Sequence, residues 1–333
     1  MPDRAVRFGV LGAARITPTA LLKPAVSNPE ARVDVVAARN LGRAVDYATR
    51  HRIPKVVDGY EAVLADPAVD AVYIPLPNGL HAEWTLAALD AGKHVLCEKP
   101  FTANAMEAEL VSAAADRAAE RNGLVVMEAF HYRYHPLAHR MRQIVDSGEL
   151  GEIHHVETWL CAPIADKSDI RYRADLAGGA MMDMGSYVVH WARLLGGEEP
   201  TVISATPKLH DPEIDRAMDA ELVFPSGHTA TVHCSLWSRS VLRMAARVTG
   251  ARGELRVTNP IAPQAMSWLT VTVAGRQRRE FASRRATYDY QLEAFCDAVL
   301  RGGPVLTSPA DAVANMAVID AVYRAANMRP RGT

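Results

Sequence analysis

Short apolar runs rich in β-branched residues alternate with helix-like segments through roughly the first 130 residues of the chain. Runs that are apolar at every position are typical of strands buried on both faces of a parallel sheet. The predicted strands are residues 6–11, 33–38, 71–74, 95–97 and 125–127, and the clearest helices are residues 17–27, 41–51 and 104–121. Repeated strand–helix units of this length predict a doubly wound α/β domain over residues 1–128.

The pattern changes in the second part of the chain, over residues 129–333. After one more helix at residues 136–147, short strand-like segments follow one another without intervening helices, which is typical of antiparallel strands. The Pro-Ser-Gly sequence at residues 225–227 is a hairpin signal between two of them. The predicted strands are residues 153–160, 202–209, 220–224, 229–236, 241–249, 254–257 and 268–273, and helices at residues 288–300 and 308–327 close the chain.

Composition and charge exclude several classes of function. The 333 residues carry 37 Lys and Arg against 38 Asp and Glu, so the net charge of −1 offers no field for a nucleic acid. No apolar run approaches the ~18 residues needed to span a bilayer, and the first residues lack a signal-peptide pattern. The four cysteines are more than sixty residues apart, which favours reduced thiols in a cytoplasmic protein.

The segment that joins the first predicted strand to the first predicted helix is a candidate dinucleotide-binding turn. Gly12 permits a tight turn, and Ala14 is the smallest replacement for the glycine that lets backbone approach a pyrophosphate. Only the first glycine of the G-x-G-x-x-G pattern is present, so an ordinary strand-to-helix turn is an equal alternative. The candidate pyrophosphate-binding residues are Gly12, Ala13, Ala14, Arg15 and Ile16.

The end of the second predicted strand indicates which nicotinamide cofactor would bind. Arg39, Asn40 and Arg43 stand where an NAD-specific site places an acidic residue for the adenosine ribose. A carboxylate repels a 2′-phosphate, whereas guanidinium groups bind it, so the pattern favours NADP, with NAD possible. The alternative is that both arginines are solvated and that Asn40 binds the ribose hydroxyls.

The loop after the predicted strand at residues 71–74 is rigid because it contains two prolines. Such a loop can shape a surface against the flat cofactor ring, while Asn78 can equally cap the helix that follows. From this loop we assign Pro75, Leu76, Asn78 and His81 to the cofactor site.

Lys99 lies at the end of a buried-type strand, between Glu98 and Pro100. The carboxyl edge of a doubly wound sheet is where such folds bind ligands. A lysine there can donate a hydrogen bond to a substrate hydroxyl and assist proton transfer, although most lysines are solvated surface groups. We therefore assign Glu98 and Lys99 to the cofactor site, and Lys99 also to the substrate site.

A third candidate segment, residues 177–190, opens a helix in the second half of the chain. On an α-helix Asp183, Tyr187 and His190 fall at i, i+4 and i+7 and share one face. An acidic, a phenolic and an imidazole group together suit proton transfer to and from an alcohol. The alternative is an ordinary polar helix face.

A histidine-rich stretch at residues 131–139 superficially resembles a metal site. Pro136 interrupts the helix that would align these histidines, and no acidic ligand has matching spacing. We therefore predict no metal.

Taken together and in this order, these motifs identify a resemblance. The glycine turn, Glu98-Lys99-Pro100 and the pattern over residues 178–190 resemble the Gfo/Idh/MocA oxidoreductases across nearly the full chain. Residues 35–40, 53–55 and 95–100 most resemble the branch of dihydrodiol dehydrogenases and NADP-dependent D-xylose dehydrogenases.

The resemblance implies a Rossmann domain followed by an α/β domain whose large, mainly antiparallel, open-faced sheet forms a dimer or tetramer interface. It also implies that Lys99 binds the reacting hydroxyl and that Tyr187 stands where many members carry a catalytic histidine. Ala14 replaces a family glycine, and His190 replaces a common Asp or Asn, which leaves the role of His190 open.

Two hypotheses about function follow. The first is a cytoplasmic NADP-dependent oxidoreductase that transfers hydride between nicotinamide and a hydroxyl-bearing carbon of a sugar, polyol or cyclic diol. In it Lys99 and Tyr187 are catalytic, and Arg171 and Asp183 bind substrate with them. The second is a sensor of the same fold that binds dinucleotide and sugar without turnover.

Overall fold

A computed structural model of the chain describes residues 5–333. These residues form two compact units. The first contains residues 5–102, 106–131 and 288–312, and the second contains residues 103–105, 132–287 and 313–333. The division of function at residue 128 stays a prediction.

The first unit contains a six-stranded parallel sheet with the strand order β3-β2-β1-β4-β5-β6. This confirms the predicted doubly wound fold. The sequence order reverses beside β1, whose neighbours are β2 and β4, so the point at which ligands bind such sheets lies there. The strands are β1 (Val6–Leu11), β2 (Ala31–Ala37), β3 (Lys55–Val56), β4 (Ala71–Ile74), β5 (His94–Cys97) and β6 (Val126–Glu128).

Nine α-helices are found in residues 5–333: α1 (Lys23–Ser27), α2 (Leu41–His51), α3 (Tyr60–Leu64), α4 (His81–Asp90), α5 (Ala105–Asn122), α6 (Pro136–Asp146), α7 (Ser186–Gly196), α8 (Thr287–Arg301) and α9 (Pro309–Ala325). A π-helical turn, Pro18–Leu22, leads into α1, and a second one, Met181–Gly185, leads into α7. Such turns are rare in proteins, and those that occur are often found at functional sites.

The second unit contains an eight-stranded sheet with the order β14-β13-β12-β11-β7-β10-β9-β8. The prediction of a mainly antiparallel sheet is confirmed, with one exception: β7 and β10 are parallel. The strands are β7 (Ile153–Cys161), β8 (Thr201–Asp211), β9 (Ile214–Val223), β10 (Thr229–Ser235), β11 (Arg243–Gly250), β12 (Gly253–Thr258), β13 (Trp268–Val273) and β14 (Arg276–Phe281).

Helix α7 packs against β7 and β10 at the centre of this sheet. The hydroxyl of Thr158 in β7, which is fully buried, donates to the carbonyl oxygen of Val188 in α7 over 3.0 Å. Val156 and Leu160 flank Thr158 on the same face of the strand and are also buried. Burial of this apolar face fixes α7 on the sheet.

The edge strand β14 is held by ion pairs as well as by its ladder to β13. Glu280 accepts hydrogen bonds from Arg140 Nε over 2.7 Å and from Arg278 Nε over 3.2 Å, and Arg278 also pairs with Glu149. Hydrogen bonding to Arg140, supported by Arg278, lowers the pKa of Glu280 from 4.5 to about 2. The folded state therefore favours the ionised carboxylate.

Glu280→Gln should reduce stability at neutral pH by about 1 kcal/mol or less, because the group is partly solvated. A carboxylate with a lowered pKa stabilises the fold above its ordinary pKa, and that contribution disappears as the pH falls. The difference in melting temperature from the wild type should therefore shrink between about pH 5 and pH 2. A difference that stays constant over this range would contradict the ion-pair account.

Two further findings concern membrane-spanning helices and the cysteines. No helix within residues 5–333 is long and apolar enough to cross a bilayer. Cys97, Cys161, Cys234 and Cys296 are all buried and free.

Candidate active site

The glycine turn lies at the carboxyl end of β1. Gly12 has φ +114°, and its N–H donates to the carbonyl oxygen of Ala37 over 2.7 Å. A Cβ at this position would lie 3.0 Å from the side chain of Leu76, so glycine suits both the backbone and the space. The hydroxyl of Tyr47 donates to the carbonyl oxygen of Ala14 over 2.9 Å and fixes the next part of the loop.

The side chains that follow this turn are accessible. Ala13 and Ala14 are half-buried, and Arg15 and Ile16 are exposed. A small, fixed and accessible loop at the carboxyl edge of a parallel sheet fits a pyrophosphate.

The predicted ribose-binding segment follows β2 at the same edge of the sheet. Arg39 and Arg43 are exposed and carry no carboxylate partner within the described residues. Asn40 is the N-cap of α2, where its Oδ1 accepts a hydrogen bond from the Arg43 backbone N–H over 2.9 Å. The carboxamide oxygen of Asn40 is therefore used by the helix, which leaves the two guanidinium groups as the free charges here.

His81 is fully buried and bridges the loops after β4 and β5. Its Nδ1 lies 2.8 Å from the carbonyl oxygen of Pro100, and its Nε2 lies 2.8 Å from that of Leu76. Burial lowers the pKa of His81. The ring thus holds the backbone of two loops together, while the predicted direct contact with the cofactor stays a prediction.

The capping role considered for Asn78 stays an alternative. Helix α4 begins at His81, and the side chain of Leu80, directly before it, makes no capping hydrogen bond. Asn78 lies at the start of a 3₁₀ turn, Asn78–Leu80, after Pro75 and Leu76, which are both buried.

Glu98 and Lys99 follow β5 at the carboxyl edge. Glu98 is buried and accepts a hydrogen bond of 2.6 Å from the hydroxyl of Tyr73, a fully buried residue of β4. Burial, reinforced by the carboxylate of Glu98, raises the pKa of Tyr73 well above its ordinary value. Tyr73 therefore remains a neutral donor that orients the Glu98 carboxylate next to the half-buried Lys99.

The segment that carries Asp183 differs from the predicted α-helix. Residues Met181–Gly185 form a π-helical turn, and α7 begins only at Ser186. The predicted i, i+4 and i+7 spacing assumed one continuous α-helix; Tyr187 and His190 do lie within α7, while the face they share with Asp183 stays a prediction. A π turn leaves little trace in a sequence, so only the structure shows that α7 begins at Ser186.

Asp183 is paired with Arg171, which the sequence assigned to substrate without linking the two. Arg171 Nε lies 2.6 Å from Asp183 Oδ2, and Arg171 Nη1 lies 3.0 Å from Asp169 Oδ1. The charge of Asp183 raises the pKa of Arg171 further above its already high value. The Arg171 side chain is about one third exposed, so part of it remains accessible to a ligand.

Tyr187 and His190 both border Tyr132, a residue that sequence reasoning missed. The hydroxyl of Tyr132 is hydrogen-bonded to Nδ1 of His190, and both side chains are almost fully buried. The ring of Tyr187 lies 6.1 Å from the ring of Tyr132 and is 5 % exposed. His190 thus helps to hold the aromatic surroundings of Tyr187.

The histidine-rich stretch is used in packing. The ring of His131 lies 4.1 Å from that of Tyr288, and Nδ1 of His135 accepts a hydrogen bond from the backbone N–H of Leu137. Among the described residues, no three or more His, Cys, Asp or Glu side chains are grouped to hold a metal ion.

The model therefore brings the predicted residues together in two sets, one in each unit. In the first unit the predicted cofactor residues follow the carboxyl ends of β1, β2, β4 and β5. In the second unit Arg171 and Asp183 are in contact, and Tyr187 lies on the helix that follows Asp183. Tyr73 lies in an apolar run and Tyr132 in the histidine-rich stretch, and neither position carries a sequence signal for its contact, so only the fold reveals them.

Comparisons with known proteins bear on both units. Residues 6–130 match the model of an oxidoreductase family with an NAD-binding Rossmann fold, and residues 138–256 match the GFO/IDH/MocA C-terminal domain. The chain is 39% identical over 320 residues to D-xylose 1-dehydrogenase (NADP(+)) 2 of Haloferax volcanii, covering 96% of this chain and 97% of that protein. It is also 33% identical over 260 residues to human trans-1,2-dihydrobenzene-1,2-diol dehydrogenase, covering 77% of this chain and 75% of that protein.

Solved structures of oxidoreductases are also similar to the chain over nearly its full length. The 3-ketoreductase KijD10 of Actinomadura kijaniata, solved with NADP and TDP-benzene, has a TM-score of 0.87 at 30% identity over 98% of each chain. The aldose-aldose oxidoreductase of Caulobacter crescentus has a TM-score of 0.87 at 27% identity over 97% of this chain and 98% of that one. These relatives are named dehydrogenases, reductases and oxidoreductases, which supports the catalytic hypothesis over the sensor. The chain is a nicotinamide-dependent oxidoreductase and belongs to the GFO/IDH/MocA family.

Proposed function

We propose that this oxidoreductase uses NADP and acts on a hydroxyl-bearing carbon of a sugar, polyol or cyclic diol. The observation that carries the proposal is the carboxyl edge of the parallel sheet, where the glycine turn follows β1, the exposed Arg39 and Arg43 follow β2, and Lys99 follows β5. Relatives named for D-xylose, dihydrodiol and keto-sugar substrates support the substrate class.

The residues at the edge of β2 fit NADP. Arg39 and Arg43 offer positive charge at the ribose position, and the Asn40 carboxamide oxygen is engaged in capping α2. Guanidinium groups bind phosphate through charge-assisted hydrogen bonds. The name of the Haloferax relative and the NADP in the KijD10 structure are consistent with this choice.

Arg39→Ala should raise the Michaelis constant for NADP by roughly 10- to 100-fold, since one hydrogen bond to a charged group contributes about 1.5–3 kcal/mol. Kinetics with NAD should barely change, because NAD lacks the 2′-phosphate. Arg43→Ala should have the same effect more weakly, because Arg43 lies in the first turn of α2, further along the chain from the end of β2 than Arg39. Equal use of both cofactors by the wild type, with a ratio unchanged in both variants, would contradict the assignment.

We propose Lys99 and Tyr187 as the catalytic residues. Bound nicotinamide supplies the hydride chemistry. Lys99 donates a hydrogen bond to the reacting hydroxyl and favours its ionised form, and Tyr187 accepts or returns the hydroxyl proton. Arg171 and Asp183 bind further hydroxyl groups, which their contact and the partial exposure of Arg171 support.

We also propose a homodimer or homotetramer formed through the sheet of the second unit, in the cytoplasm. The sheet face opposite α7 supports the assembly, because it carries half-buried polar side chains such as Glu157, Asp219 and His233. Asp219 and His233 lie 2.7 Å apart on this face. The free cysteines are consistent with a reducing compartment.

The substrate class is tested by reduction of NADP across aldoses, inositols and trans-diols, followed by the absorbance of the reduced cofactor. Turnover of at least one class is expected. Thermal stabilisation by NADP and a sugar without an absorbance change for any compound would instead support the sensor hypothesis.

A further inference from the structure

A buried ionic cluster contacts the start of the segment that carries Asp183 and Tyr187. Asp215, the second residue of β9, is fully buried, and its Oδ1 accepts hydrogen bonds from Arg331 Nη2 over 2.8 Å and from the hydroxyl of Tyr323 over 3.0 Å. Its Oδ2 accepts a hydrogen bond of 2.7 Å from the backbone N–H of Met181. Met181 is the first residue of the π-helical turn.

Arg331 ties the last residues of the chain to this cluster. Its side chain is only 6% exposed, and the guanidinium group stacks 4.5 Å from the ring of Tyr323 and also donates to the carbonyl oxygen of Glu213. The backbone carbonyl of Arg331 accepts a hydrogen bond of 2.9 Å from Asn104. The arginine is therefore fixed from both its side chain and its backbone.

Gly179 shows how closely the cluster and the segment fit. Its φ is +128°, and a Cβ there would lie 2.3 Å from Asp215 Oδ1, 2.8 Å from the Tyr323 hydroxyl and 2.9 Å from Arg331 Nη2. The backbone N–H of Asp183 in turn donates to the carbonyl oxygen of Gly179 over 3.1 Å. Gly179 thus lies against the ionic cluster and is also hydrogen-bonded to the backbone of Asp183, so it links the two.

Stability alone does not account for the buried ion pair of Asp215 and Arg331. Burial raises the pKa of Asp215, against the opposing effects of Arg331 and of the hydrogen bonds. Apolar residues of similar size often give equal or higher stability than a buried ion pair, whereas an ionic pair fixes one geometry. π-helical turns are often found at functional sites, and here the first N–H of the turn, that of Met181, donates to the Asp215 carboxylate.

We propose that Asp215 and Arg331 are positioning residues that hold the π-helical turn and so set the placement of Asp183 and Tyr187. The carboxylate fixes the N–H of Met181, and the arginine fixes the carboxylate. This inference rests on the proposed roles of Asp183 and Tyr187 and adds the C-terminal residues of the chain to the machinery of the reaction.

Arg331→Ala tests the proposal. Displacement of a reacting group by about 1 Å costs on the order of 100-fold in rate, so kcat should fall by about that factor. The dissociation constant of NADPH, measured by fluorescence, should remain that of the wild type, because the cofactor residues lie in the first unit. Millimolar guanidinium should restore part of kcat by refilling the site, and sodium at equal ionic strength should not.

A matched control separates positioning from stability. Leu255 is fully buried in β12, which three strands separate from β9 in the sheet order. Leu255→Ala should lower the melting temperature through a cavity and leave kcat near that of the wild type. If kcat in Arg331→Ala falls no further than in Leu255→Ala, or if guanidinium gives no rescue, the proposal is wrong.

Hydrogen exchange gives a readout independent of activity. Arg331→Ala, or Asp215→Asn if the first variant does not fold, should increase exchange in residues 180–186 more than in residues 187–196 of α7. Unchanged exchange there would overturn the proposal even if the enzyme is active. Local loosening without wild-type turnover of any sugar or diol would instead leave the positioning intact and refute the proposed function.

Discussion

Lys99→Ala is expected to lower kcat by about 10³-fold or more, since positioned proton-transfer groups typically contribute 10²- to 10⁴-fold. The variant loses both the hydrogen bond to the reacting hydroxyl and the positive charge that stabilises its ionised form. NADPH should still bind, because the glycine turn and the arginines are unchanged. Steady-state kinetics and cofactor fluorescence on the same preparation measure the two effects.

Lys55→Ala is the matched control for Lys99→Ala. Lys55 belongs to the same unit, is half-exposed and pairs with Asp66 over 2.7 Å, away from the carboxyl edge of β5. Its replacement should leave kcat unchanged. A Lys99→Ala enzyme with nearly normal turnover would remove Lys99 from the mechanism.

Tyr187→Phe should lower kcat by about 10²- to 10⁴-fold, because it removes the group that exchanges a proton with the substrate. The ring is 5% exposed and packs beside Tyr132 and Trp191, so phenylalanine keeps the packing and the fold. Binding of NADPH and the melting temperature should stay close to those of the wild type. Near-normal kcat would show that another group transfers the proton. His190 is the nearest candidate along α7.

The fold of the first unit was predictable because short segments of the sequence determine its strands and helices. Strands buried on both faces must be apolar throughout, so β1, β4 and β5 stand out as short apolar runs. Helix α2 was predicted with its observed bounds, since Asn40 caps its start and Arg52, with φ +57°, ends it.

The second unit was less predictable because its features depend on distant partners. β14 was missed because its sequence, Arg-Gln-Arg-Arg-Glu-Phe, has no hydrophobic alternation; ladder bonds and the ion pairs of Glu280 hold it instead. The parallel pairing of β7 with β10 joins segments separated by α7 and two other strands. No local signal specifies such a pairing.

The candidate site shows the same division. The sequence places Gly12, Arg39 and Lys99 at the carboxyl edge of the parallel sheet because each follows a predicted strand, and the structure shows this position; their roles stay predictions. The contacts of Asp183 with Arg171 and of Met181 with Asp215 could not be predicted, since they join segments of the chain that no sequence spacing links.

Direct hydride transfer is the central claim, and isotope labelling tests it most directly. The wild-type protein is incubated with NADP and its best substrate, deuterated at the hydroxyl-bearing carbon, and the reduced cofactor is examined by mass spectrometry. The account predicts that the reduced nicotinamide carries one deuterium from that carbon. Reduced cofactor without the label, or no reduction with any sugar, polyol or diol, would contradict it.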